Sequence, residues 1–324
     1  MDDDDDWVEE IYTLLIDVCS GKNPNELFIV GKIHPQNYPL EMNSILIHVD
    51  ISKPQPESRI LVHAVNDIED DGHISYFNCI IKDNDILYIG DFNGYIKYDN
   101  GQIDRITFNN LNPSPSLIES AHLIDHDHII YGSYDGIVIN SENNILTATR
   151  VFEERYSGNT VEGIHGIGKS FLLAVGGDGC IAKFEGDTWK NITPPNDARL
   201  SGVWCRSRSE IYITGDYLWR WDGAEKWSML TMEDGSMPKT FDVIEYQGII
   251  YVSASLSGLF CIEGDHIIPV DMGAPAIISR LRVTSAGLVG LGTWGYDERW
   301  FVHFDGNKWT TAEIDFSADY VPNS

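Results

Sequence analysis

An all-β fold, a closed β-propeller of seven four-stranded antiparallel blades with six blades as the alternative, is predicted from three observations on the 324-residue sequence. A unit recurs about every forty residues, each unit holds several short β-branched runs, and the joints between runs are Gly-, Asp- and Asn-rich. The aligned copies are ILYIGDFNGYIKYDNGQIDRIT (86–107), IIYGSYDGIVINSENNILTAT (129–149), LLAVGGDGCIAKFEGDTWKNIT (172–193), IYITGDYLWRWDGAEKWSML (211–230), IIYVSASLSGLFCIEGDHIIPV (249–270) and LVGLGTWGYDERWFVHFDGNKWTTAEI (288–314). Their corner residues Gly90, Gly132, Gly176, Gly215, Ala254 and Gly292 stand 42, 44, 39, 39 and 38 residues apart.

Taken in chain order, residues 1–10 with the run Asp2–Asp6 read as an acidic disordered tail. YTLLIDVCS (12–20) reads as the inner strand A of a first blade. A competing amphipathic helix over 7–19 would put Trp7, Ile11, Leu14, Leu15 and Val18 on one stripe. LFIVGKI (27–33) follows as strand B with Gly31 at its corner, SILIHVDI (44–51) as C and RILVHAV (59–65) as D, with HPQNYPLEMN and SKPQPESR as long insertions. Six further inner strands precede the aligned copies: ISYFNCIIK (74–82), LIESAHLI (117–124), TVEGIHGI (160–167), LSGVWCRS (200–207), TFDVIEY (240–246) and SRLRVTS (279–285). Tight turns join A to B at Asp83-Asn84, His126-Asp127, Gly168-Lys169, Gln247-Gly248 and Ala286-Gly287. One domain over 11–316 is expected, with 317–324 as a C-terminal tail. One blade cannot bury both faces, so neighbouring blades must do it.

The outer turns FEGDTW (184–189), WDGAEKW (221–227), FDGNKW (304–309) and CIEGDH (261–266) share a form. With SGVWCRSRSEIYITGDYLWRWDGAEKWSML (201–230), they resemble the repeats of Asp-box-like bacterial propellers, the type found in sialidase-related proteins and photosystem assembly factors. The resemblance covers about residues 160–314 and implies a propeller fold; no copy carries the full Asp-box. The local logic is that Asp or Glu caps the hairpin, Gly takes a positive φ, and Trp189, Trp227 and Trp309 cover the turn.

Composition narrows function. Lys and Arg number 22 against 50 Asp and Glu, a formal charge of −28, which argues against nucleic-acid binding because that rests on cationic side chains. No apolar run reaches the ~18 residues of a membrane span. Five scattered cysteines without a CxxC pair fit a reducing, cytoplasmic setting. HLIDHDHII (122–130) gathers His and Asp, but neighbours on a strand point to opposite faces, so it reads as a hairpin and no metal is expected. NDIEDDG (66–72) fails the calcium-loop spacing. GxSxG, HExxH and a P-loop are absent, no sialidase arginine cluster is evident, and GIHGIGKS (163–170) crosses a hairpin where a phosphate loop would need a strand-to-helix turn. No enzymatic activity and no cofactor are expected.

In propeller geometry the B–C and D–A connections share one face. The B–C connections present Asp91, Phe92, Tyr134, Asp135, Asp178, Asp216, Tyr217, Trp294, Tyr296, Asp297 and Glu298. The D–A connections add Asp67, Glu69, Asp70, Asp71, Glu153, Glu154, Tyr156, Asp197, Glu233 and Asp234. Aromatic anchors among carboxylates suit a basic protein partner. The expected function is therefore a monomeric protein-binding propeller. Its most concrete form is a bacterial immunity or antitoxin protein that neutralises a cationic toxin domain; the alternative is a glycan- or small-molecule-binding propeller, a lectin or weak hydrolase.

Overall fold

The computed structural model describes residues 11–35, 43–52, 61–64, 77–92, 94–99, 102–153, 159–254, 258–273, 277–294 and 298–313. Twenty-eight strands form seven four-stranded antiparallel sheets, each from four consecutive strands. The inner strands are β1 (Ile11–Ser20), β5 (Cys79–Asp83), β9 (Ile118–Asp125), β13 (Val161–Gly166), β17 (Leu200–Ser207), β21 (Thr240–Tyr246) and β25 (Ile277–Thr284). Each packs on the next, and β25 packs back on β1, so the sheets are seven blades of a closed ring. The tails and most of the connection between the first two blades lie outside the described residues.

The first blade decides between the two sequence expectations. Residues 11–20 are strand, paired residue by residue with β2 (Glu26–Pro35), so the helix over 7–19 does not form and the blade number is seven. The i, i+3, i+4 apolar pattern that suggested a helix is produced by a bulge between Leu15 and Asp17, which shifts the strand's alternation by one. Four corner glycines lie inside their strands, Gly31 in β2, Gly90 in β6 (Ile86–Asp91), Gly132 in β10 (His128–Ser133) and Gly292 in β26 (Gly287–Trp294), because each strand runs past its glycine. The first D strand is β4 (Leu61–Ala64), the described part of the run 59–65.

Period-2 alternation builds the core. In β14 (Phe171–Gly176), Leu172 and Ala174 pack toward blade 3, whereas Phe171, Leu173 and Val175 pack toward blade 5. Seven such apolar clusters sit one per interface between blades, and that between blades 7 and 1 joins Val289, Leu291 and Phe301 to Leu15, Val18, Leu27 and Ile29. Among the described residues no blade shares strands from both chain ends, and side chains join blade 7 to blade 1.

The outer turns confirm the covering role of tryptophan. Trp227 stacks on Trp221 at 4.9 Å, Trp309 on Phe304 at 4.7 Å, and Trp189 tilts against Phe184 at 5.4 Å, each pair directly cross-strand. Asp222 accepts the Ala224 and Lys226 N–H groups, and Asp305 those of Asn307 and Lys308, which holds both carboxyls below their usual range. Gly223 has φ +76, and a Cβ there would meet the Arg208 carbonyl at 1.9 Å. Glu185 departs from the expectation: its longer side chain swings away from the turn to pair with Lys183 at 3.2 Å and Arg208 at 3.4 Å.

Candidate functional site

The B–C and D–A connections do share one end of the ring, and backbone hydrogen bonds tie several of them together. Phe92 forms a bridge with Leu117, and the Tyr134 N–H donates to the Leu117 carbonyl at 2.8 Å. The segment entering blade 3 is thus strung between the B–C turns of blades 2 and 3, with one aromatic residue on either side. Phe92 and Tyr134 are 46 % and 58 % exposed, and they are the two exposed aromatic side chains among the described residues. Neighbouring turns continue the arc: the Val151 N–H donates to the Gly136 carbonyl, and the Gly179 backbone lies against Asn196 and Asp197.

The carboxylates of this face divide into two groups. Asp91 is buried and paired with Arg105 at 3.1 Å. Asp135 accepts from the Ser133 hydroxyl and the Ser116 N–H, and Asp216 accepts from the Arg199 N–H at 3.2 Å and pairs with Lys239 at 3.2 Å. These three hold the loops in shape. Asp234 caps its own turn through Ser236, which lowers its pKa. By contrast, exposed Glu153, Asp178 and Asp197 have no hydrogen bond or ion pair among the described residues. Glu153 and Asp178 flank a notch of about 210 Å³ floored by Phe152, Ile181, Ile192 and Pro194. Asp178 sits at φ +54, a left-handed turn position that Asp tolerates. Tyr217 is half-buried, edge-on to Trp219 at 6.1 Å, and Glu233 is exposed.

At blade 7, Trp294 ends β26 and Glu298 begins β27 (Glu298–Phe304). Tyr296, Asp297, Asp67, Glu69, Asp70, Asp71, Glu154 and Tyr156 lie outside the described residues.

On the opposite face, Asp83, His126 and Asp127 bring ligand-type atoms within 4.8 Å of one another. His126 Nδ1 lies 2.8 Å from Asp83 and its Nε2 3.2 Å from Asp127, and the Asp83 hydrogen bond raises the His126 pKa. In the charged form both ring nitrogens donate to these carboxylates. The histidines of 122–130 do not converge: His128 points to Asn140 at 2.6 Å, while His122 turns to the ring axis.

Along that axis the inner strands enclose a cavity of about 350 Å³. His122, His165 and Trp204 form a ring-on-ring series there, with centroids 4.5 and 4.0 Å apart. At one end Glu119, beside Glu162, Lys32, Arg199 and Arg280, has its pKa raised to about 7, chiefly by burial. Sequence reasoning weighed His122 only for a metal and assigned no axial role to any of these residues. Their signal was a polar or ring side chain at Lys82, His122, His165, Trp204 and Arg282, inside strands otherwise read as apolar.

No family model matches the chain. A 153-residue stretch, 47 % of this chain, is 25 % identical to the Immune protein Tsi7 of Pseudomonas aeruginosa, and the match spans 48 % of that protein, about half its length. Among solved structures, YCF48 bound to a D1 peptide superposes with a TM-score of 0.64 at 14 % identity, over 89 % of this chain and 93 % of that one. The WD40 β-propeller domain of Doa1 gives 0.60 at 11 % identity, over 90 % and 96 %. The structural likenesses show the propeller fold. Among the described residues, no helix is long and apolar enough to cross a membrane.

Proposed function

We propose that this chain is a non-enzymatic, protein-binding propeller that docks a basic partner on its B–C and D–A loop face, and that it acts as an immunity or antitoxin protein against a cationic toxin domain. The observation that carries the reading is the arc over blades 2 to 4. There the exposed rings of Phe92 and Tyr134 flank Leu117, and the unspent carboxylates of Glu153, Asp178 and Asp197 follow. Exposed aromatics supply binding energy when a partner desolvates them, and free carboxylates steer a cation toward them. Asp91, Asp135 and Asp216 act by shaping the loops, and Tyr217 extends the same face around the ring; Trp294, Tyr296, Asp297 and Glu298 join the proposed surface by their sequence position in the last B–C connection.

Three further facts support it: the net charge of −28, the half-length likeness to an immunity protein, and five unpaired cysteines consistent with a cytoplasmic setting. Burial pushes the Cys79 thiol up to about 12 and raises those of Cys19 and Cys205 further, so these thiols are inert.

The test measures association rates by surface plasmon resonance. The ligands are the product of the gene neighbouring this chain's and lysozyme as a basic, non-cognate control. A cognate domain should bind 1:1 with an on-rate that drops about tenfold or more from low to high salt. F92A/Y134A should weaken that binding by about tenfold or more while leaving the fold intact. Equal binding to lysozyme, or affinity untouched by F92A/Y134A, overturns the proposal.

A further inference from the structure

The axial cavity carries an inference independent of the loop face. The chain holds 22 basic against 50 acidic residues, yet Lys82, Arg280 and Arg282 all line this cavity, facing Asp242 and Glu162. Arg282 is spent on Asp17 and Asp242, Lys82 donates to the Gly21 carbonyl, and Glu162 is taken by Arg199 at 2.9 Å. Arg280 is different. It is half-buried, and among the described residues its side chain makes no hydrogen bond or ion pair, lying in the field of Glu119. A guanidinium with five donors and no acceptor is a receptor for a planar anion.

The ring series supplies a second set of donors. His122 Nε2 accepts the Gly166 N–H at 3.2 Å, and His165 Nδ1 accepts the Cys205 N–H at 3.0 Å. A ring nitrogen that accepts a backbone N–H carries no proton, so each neutral imidazole keeps its hydrogen on the other nitrogen. Those are His122 Nδ1 and His165 Nε2, and neither has a protein partner among the described residues. Burial keeps both rings neutral, holding His122 down to about 4 and His165 well below its usual range. Trp204 Nε1, in the next ring, is buried without an acceptor.

Register sets the spacing between the two sets. His165 pairs with Leu173 and Arg282 with Val289, each three residues before its corner glycine, Gly176 or Gly292. Arg280 therefore lies two strand positions from the level of His165, about 7 Å along the axis. The volume lies within the ordinary range of ligand pockets.

We propose that the axial cavity binds a small organic monoanion, with its carboxylate on Arg280 and a second, uncharged carbonyl oxygen on the His122 and His165 N–H groups. A single negative charge suits the site because two carboxylates already share Arg282, leaving Arg280 and Lys82 to offset them.

The probes are 4-oxopentanoate, pentanoate without the ketone, and the methyl ester of 4-oxopentanoate without the charge. They are titrated to 20 mM into the whole chain while imidazole and indole N–H resonances are followed by NMR. The expected result is saturable shifts at His122, His165 and Trp204 for 4-oxopentanoate, with pentanoate and the ester binding about tenfold or more weakly. R280Q should abolish the shifts; it breaks no side-chain hydrogen bond among the described residues, and an unchanged amide spectrum shows that the ring is intact. W204F, keeping the ring and losing the donor, should weaken binding less. No saturable shift by 20 mM, equal shifts for all three probes, or binding that survives R280Q overturns the inference.

Discussion

Replacing Arg282 by Met should open the ring more readily than any surface change. Arg282 of blade 7 lies between two buried aspartates, Asp17 of blade 1 and Asp242 of blade 6. Its Nε and one terminal nitrogen reach Asp17 at 3.0 and 3.1 Å, and the other terminal nitrogen reaches Asp242 at 3.0 Å. Each aspartate also ties its own strand to the next: Asp17 accepts from Val18 and Ile80, and Asp242 from Val243 and Leu281. Removing one partner of a buried ion pair costs about 3–5 kcal/mol, because the other charge stays buried. Here the carboxylates keep their backbone donors and the Arg282 side chain is 28 % exposed, so the lower end, about 3 kcal/mol, applies. With a urea slope of ~3 kcal/mol/M, the unfolding midpoint should fall by about 1 M. R282K should recover little, since an ammonium cannot span two carboxylates with a planar fork. E210Q is the control: it breaks the exposed Arg206–Glu210 pair at 3.2 Å and should leave the midpoint within experimental error. A midpoint for R282M within 0.2 M of the parent would refute the claim that this clamp closes the ring.

Two further outcomes follow from local geometry. Burial lowers the His122 pKa from 6.5 to about 4, so below 6.5 the unfolded chain binds a proton that the folded chain refuses. The stability that this ring contributes is present above pH 6.5 and is lost as pH falls toward 4; urea midpoints across that window should therefore drop less steeply for H122Q than for the parent, and parallel curves would contradict the assignment. At the outer rim, W227A removes the half-buried stack on Trp221 and should cost about 2 kcal/mol by urea unfolding without altering partner binding. A loss of binding at unchanged stability would place Trp227 in an interface instead.

How much was legible in the sequence depended on whether the information was local. Turn chemistry is local: Asp222-Gly223 and Asp305-Gly306 set their hairpins through their own backbone, and both were readable from residue type alone. Alternation is local too, so six blades and their strand order could be read directly. The first blade was ambiguous because a single bulge after Leu15 turns a strand's period into something close to a helix's. On the loop face, residue type alone could not separate Asp91 from Asp178. Both follow a corner glycine or precede a turn, yet one is paired with Arg105 from the far edge of its blade and the other with nothing among the described residues.

What the chain's order of residues determined by itself is the repeating unit, its four strands, the chemistry of its turns and the sign of the surface charge, since each depends on neighbours within a few positions. What only the tertiary structure decided is the seventh blade's closure onto the first through Arg282 and Asp17, 265 residues apart, together with the axial cavity and the sorting of carboxylates into spent and free. Those features are made by side chains that meet across the ring, and no spacing along a strand encodes which partner a side chain will find there.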